Sequence, residues 1–167
     1  KHGTHLTSLT ILDLCGNDIG DAGVTALADA LKHGTHLSSL ATLDVSGNYI
    51  DAAGATVLAD ALKNGTHLTS MATLRLHSNN IGPDGATALA DALKHGTHLT
   101  SLATLDLGCN KIGATAFSDA FKHGTYLTSL AILDLHLNNI RVAGATALAD
   151  ALRHGTHLTS FAMLDVS

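Results

Sequence analysis

The sequence predicts an α/β solenoid, with parallel strands on a concave face and helices on a convex one. Three observations carry this. A short strand-like motif, typified by Leu102-Ala103-Thr104-Leu105-Asp106-Leu107-Gly108-Cys109-Asn110-Lys111-Ile112, recurs six times. An alanine-rich block at helical spacing follows each of the first five copies. The copies begin at Leu9, Leu40, Met71, Leu102, Leu130 and Phe161, a stride of 31 residues broken by one step of 28. A single strand of this kind cannot bury its apolar face, but copies stacked side by side bury one another's.

Each unit reads strand, turn, helix, return loop. Leu102, Leu105 and Leu107 alternate closely enough for a strand with one buried side. Asn110 turns the chain and Ile112 re-enters the core. Gly85, Leu89 and Leu93 recur every four residues, and alanine, the best helix former, fills most positions between them. Gly96 follows His95 and is expected to end the helix in a left-handed cap. Repeat four lacks three residues after Ile112-Gly113 and carries Phe117 and Phe121 where other copies have leucine. The bulkier rings are expected to fill space that the deletion leaves, with a local change of curvature.

On these six strand motifs and five helical blocks the chain resembles the leucine-rich repeat family, in its ribonuclease-inhibitor-like class. The resemblance spans essentially all 167 residues. It implies a horseshoe and a role in recognition, as in ribonuclease inhibitors, NOD-like receptor sensor regions, bacterial effectors and Ran GTPase-activating proteins. The 31-residue period exceeds the 20–29 residues usual for such repeats. The extra residues fall in the return loop, around His95 to Leu99.

Residues 1–167 read as one array. The chain starts in a helix end (Lys1-His2-Gly3) and stops in a strand (Leu164-Asp165-Val166-Ser167), as expected of a fragment without caps, whose open edges favour end-to-end association. No apolar run reaches membrane-spanning length. A net charge of −5 and 3% aromatics argue against a nucleic-acid footprint. Cys15 and Cys109 lie three strands apart, about 15 Å, too far for a disulfide. Unpaired thiols suit a reducing, cytoplasmic setting.

Variation between copies is concentrated at the strand ends. Cys15, Ser46, His77, Gly108 and His136 share one column, and Asp18, Tyr49, Asn80, Lys111 and Asn139 another. Large aromatic and cationic side chains there suit a binding face. Tyr49, Arg75, His77, Lys111, His136 and Arg141 are the expected contact residues for a protein partner, against the alternative of drift at exposed positions. A third column, Asp13, Asp44, Asp106, Asp134 and Asp165, is interrupted by Arg75, which is placed to relieve repulsion between like charges on neighbouring strands. One oxygen per strand on a flat sheet makes a poor calcium cage. Asn17, Asn48, Asn79, Asn110 and Asn138 are expected to form a buried ladder that satisfies backbone groups in the turns.

His-Gly-Thr-His recurs in the return loops as His2/His5, His33/His36, His95/His98 and His154/His157, with altered copies Asn64/His67 and His123/Tyr126. Capping of helix carbonyls is the leading reading. A pH response is the second: protonating all twelve histidines would move the formal charge from −5 to +7. Zinc or nickel binding is the weakest, because no cysteine or carboxylate completes a closed site. The sequon Asn64-Gly65-Thr66 is one substitution away from the repeated His-Gly-Thr and reads as chance.

No nucleophile elbow, phosphate loop or metalloprotease motif occurs, so no catalysis, metal or cofactor is expected. The functional expectation is a protein-interaction module. The alternatives are a GTPase-activating or other enzyme-regulating repeat protein, for which Arg141 would be the edge arginine, and a purely structural array.

Overall fold

The computed structural model describes residues 7–113 and 115–167. The first histidine pair, His2/His5, and the Lys1-His2-Gly3 segment lie outside the described residues.

Strand and helix alternate throughout. The strands are β1 (Ile11–Asp13), β2 (Thr42–Asp44), β3 (Thr73–Arg75), β4 (Thr104–Asp106), β5 (Ile132–Asp134) and β6 (Met163–Asp165). Between them run α1 (Gly20–His33), α2 (Ala52–Asn64), α3 (Gly82–His95), α4 (Thr115–His123) and α5 (Arg141–His154). The strands form one parallel sheet in chain order. Register is strict: Asp13 pairs Asp44, Asp44 pairs Arg75, Arg75 pairs Asp106, Asp106 pairs Asp134 and Asp134 pairs Asp165. Neighbouring strands sit about 4.8 Å apart whereas packed helices need about 8–10 Å. That mismatch bends the array with the sheet on the inside.

The core is the layer between sheet and helices. The central leucine of each strand points into it, and Leu43, Leu74, Leu105 and Leu133 are buried. Val45, Ile50, Leu58, Leu62 and Leu68 complete the second repeat's share, also buried. The flanking strand residues, such as Thr42 and Asp44, face the other side.

The glycines after the helices are not left-handed. Gly34, Gly65, Gly96 and Gly155 have φ between −80° and −73°. Their requirement is space: a Cβ on Gly96 would stand 2.7 Å from the Ala92 carbonyl oxygen, and one on Gly65 would meet the Ala61 and Leu31 oxygens at 2.7 and 2.9 Å. Each glycine N–H instead donates to the carbonyl four residues back, as Gly96 does to Ala92 at 2.7 Å.

Left-handed backbone occurs after the strands. Gly16, Gly47, Ser78, Cys109 and Leu137 occupy one column, all with φ between +54° and +69°. Repeats three to five thus carry side chains where the first two use glycine.

Repeat four absorbs its deletion in the helix. Among the described residues α4 has 9 where the other helices have 13 or 14, so the shortening falls at its N-terminal end. Phe117 and Phe121 are fully buried and stack with ring centroids 5.8 Å apart. Gly113 neither takes the positive φ of Gly82 nor meets a neighbouring helix as Gly85 does.

Candidate functional site

The exposed face of the sheet and the turns that follow it carry the residues expected to bind. Arg75 ends β3, and its Nη1 lies 3.7 Å from Asp44 Oδ2 on the strand before. Lys111 sits in the next turn and donates from Nζ to Asn80 Oδ1 at 2.7 Å. His136 follows β5 and places Nε2 3.4 Å from Cys109 Sγ. These three side chains therefore share a direction: each leans onto the preceding repeat. His77 stays within its own repeat, with Nδ1 3.2 Å from Ser78 Oγ. Tyr49 projects freely, 75% exposed, from a left-handed turn residue. Arg141 is exposed but begins α5, so it stands at the edge of the array and not on the sheet.

The aspartate column has a local job that charge patterning alone does not reveal. Each carboxylate accepts the backbone N–H two residues on: Asp13 from Cys15, Asp44 from Ser46, Asp106 from Gly108, Asp134 from His136 and Asp165 from Ser167, at 2.9–3.1 Å. These bonds close the turn where strand pairing stops. The bonds from Ser167 hold the Asp165 carboxyl below its ordinary range. Arg75 replaces that acceptor in repeat three.

The asparagine ladder joins repeats. Asn48 Oδ1 accepts from Asn17 and Ile19, Asn79 Oδ1 from Asn48 and Ile50, and Asn138 Oδ1 from Asn110 and Ile112. The amides of Asn48, Asn79, Asn110 and Asn138 donate to carbonyls of their own turn and of the turn before, as Asn79 does to Leu76 and Val45, whereas among the described residues Asn17 donates only within its own turn. Asn48, Asn79, Asn110 and Asn138 are buried, but Asn17 is exposed, against the expectation of a wholly buried ladder. No described repeat packs over it.

The two histidine rows do different things. His95 and His154 turn Nδ1 back onto the carbonyl oxygens of Asp91 and Asp150, at 3.1 and 2.9 Å, and onto those residues' carboxylates at 2.9 and 3.0 Å. His33 and His123 approach Asp29 and Asp119 more loosely. The second row reaches across repeats: buried His98 directs Nε2 at the Leu62 carbonyl, 2.7 Å away at the end of α2. His67 faces the Leu31 carbonyl in the equivalent place, although its buried Nε2 makes no hydrogen bond of ordinary geometry. Burial holds His67 below the usual imidazole range. Capping thus describes the first row in part, and a clamp between repeats describes His98.

The convex face holds a feature the sequence reading missed. Lys32 pairs with Asp60, Lys63 with Asp91, Lys94 with Asp119 and Lys122 with Asp150, at 2.6–2.9 Å. The lysine hydrogen bond is the main reason each of these carboxyls is held below its ordinary range. The signal was present as Ala-Asp-Ala-Leu-Lys in successive helices.

Asp106, Asp134 and His136 bring ligand-type atoms within 4.8 Å of one another, a group that could hold a cation. Among the described residues no such group involves the return-loop histidines. Both cysteines are free thiols, Cys15 exposed and Cys109 half-buried. No described helix is long and apolar enough to cross a membrane.

Two solved structures share the fold. One is titled Leiomodin-1 Actin-Binding Site 2, with TM-score 0.67 and 19% identity over 89% of this chain and 82% of that one. The other is a Caenorhabditis elegans tropomodulin C-terminal domain, with TM-score 0.65 and 12% identity over 89% and 85%. At such identities the likeness is one of fold. No curated protein matches the chain. A family model described as "Leucine Rich repeat" matches five stretches, 5–28, 36–59, 67–90, 98–116 and 126–149. These cover more than half of the sequence, and the chain belongs to the leucine-rich repeat family.

Proposed function

We propose that the array works as a single protein-interaction unit that receives a partner on its sheet face, without catalysing a reaction. One observation carries this reading. The exposed or half-buried side chains that differ most between copies, Tyr49, Arg75, His77, Lys111 and His136, sit on the sheet or in the turns after it, while the buried frame beneath them repeats almost unchanged. Arg141 borders that surface. A rigid frame with side chains already held, such as Arg75 on Asp44 and Lys111 on Asn80, lowers the ordering cost of binding. The free thiols suit a reducing, cytoplasmic environment.

Actin is the first partner to try, because one protein of this fold is titled an actin-binding site. The test is co-sedimentation with filaments and capture from lysate, run beside a Tyr49→Ala/Arg75→Glu/His77→Ala variant of equal melting temperature. A protein retained by the wild type and lost by the variant supports the reading. Equal retention by both moves the site off the sheet face.

A further inference from the structure

We propose that Cys109, His136 and Asp134 form an activated thiol on the sheet face, a site of mixed-disulfide formation with small neutral or cationic disulfides. The three groups lie in series. Asp134 Oδ1 stands 2.7 Å from His136 Nδ1, and His136 Nε2 stands 3.4 Å from Cys109 Sγ. The carboxylate accepts from Nδ1–H, which fixes the tautomer and leaves Nε2 to take the thiol proton. This is the order nucleophile, base, orienting acid that activates a thiol.

The arrangement occurs once among the described repeats, and the sequence shows how it arises. The His136 ring lies where a side chain at position 108 would stand; a Cβ on Gly108 would sit 2.0 Å from the ring. Repeat four alone has glycine in that column, and repeat four alone has cysteine in the next. His77 holds the same column as His136 and meets Ser78, but Arg75 stands where the orienting carboxylate would be. Cys15 lies after β1 with its backbone N–H on Asp13, and no histidine contact to its thiol is present among the described residues.

The groups facing His136 are acidic: Asp134 on its own strand, Asp106 on β4 and Asp165 on β6. Together they raise its proton affinity, the Asp134 hydrogen bond most of all, and so favour the imidazolium that forms when the thiol ionises. The reaction is a displacement. Where His136 is neutral the proton passes from Sγ to Nε2; where it is already the imidazolium the thiol proton leaves to solvent and the cation holds the thiolate. The thiolate attacks one sulfur of the disulfide, a new S–S bond forms, and the old one breaks. The departing thiolate takes the proton from Nε2, and a reducing thiol reverses the step. The same carboxylates repel anionic disulfides and admit neutral or cationic ones.

The test compares two single-thiol proteins, Cys15→Ser and Cys109→Ser, in EDTA. The neutral reagent 4,4′-dithiodipyridine is followed by its absorbance, and cationic cystamine is set against anionic DTNB. Cys109 is expected to react about tenfold faster than Cys15 at about pH 6, although it is the less exposed thiol, with the gap closing toward about pH 9, where most thiols ionise unaided. His136→Gln should abolish the excess. Gly108→Ala, which keeps all three residues but displaces the His136 ring, should abolish it too. Equal rates at about pH 6, or an excess that survives both substitutions, would overturn the proposal. Faster reaction with DTNB than with cystamine would overturn the substrate class.

Discussion

Asn79 shows how much one amide carries here. Its Oδ1 is the acceptor for Asn48 and Ile50 N–H, and its Nδ2 donates to Val45 and Leu76 carbonyls. Asn79→Ala strands these groups in a dry turn, and unpaired buried backbone groups cost about 1–3 kcal/mol each. A loss of about 3 kcal/mol in urea unfolding is expected, against under about 1 kcal/mol for Asn17→Ala at the exposed position. Leu137 is the opposite case. It holds φ +54° and is 68% exposed, so it bears left-handed strain without burying its side chain. Leu137→Gly should raise stability by about 1 kcal/mol, read as a higher urea midpoint at constant slope.

Among the elements, α4 is the outlier. It is a turn shorter than its neighbours, so it offers α3 and α5 a shorter packing face than a full helix would. Phe117 and Phe121 restore buried volume at the core side. Restoring the leucines of the other copies, Phe117→Leu/Phe121→Leu, should leave a void and cost about 2 kcal/mol in thermal or urea unfolding. Amides of α4 should also exchange hydrogen faster than those of α2 or α3, since helix stability in a solenoid comes from nearest neighbours. The sequence located the deletion and the two phenylalanines but not its outcome. Repeat alignment cannot distinguish a shortened turn from a shortened helix when Gly113 aligns with either Gly82 or Gly85.

Across the whole molecule, pH acts through groups of opposite sign. Burial lowers the proton affinity of His67, so its contribution to stability is present above about pH 6.5 and fades as pH falls from there toward its folded value. His136 is raised by Asp134, so its contribution is full below about pH 6.5 and is lost as pH climbs through its folded value. Melting temperature should be lower at about pH 5 than at about pH 7.5; His67→Gln should narrow that gap and His136→Gln should widen it. The exposed Lys–Asp ladder matters only in stronger acid, as those carboxyls protonate, and added salt should weaken it.

Periodicity made the solenoid legible because 31-residue copies leave little choice of register. The six expected contact residues were legible only as positions. The lean of Lys111 and His136 onto the preceding repeat was not, and neither was the meeting of Cys109 with His136. The Cys109–His136 contact joins residues 27 apart in two repeats and depends on Gly108 having no side chain.

The asparagine ladder has a direction. Asn17 and Ile19 N–H are satisfied by Asn48, and Asn48 and Ile50 by Asn79, always by the following copy. During synthesis a turn therefore leaves the ribosome with its amides still open to water. It closes only when the next asparagine, some 31 residues later, has emerged. Folding on the ribosome should advance in steps of one repeat, each lagging one repeat behind translation.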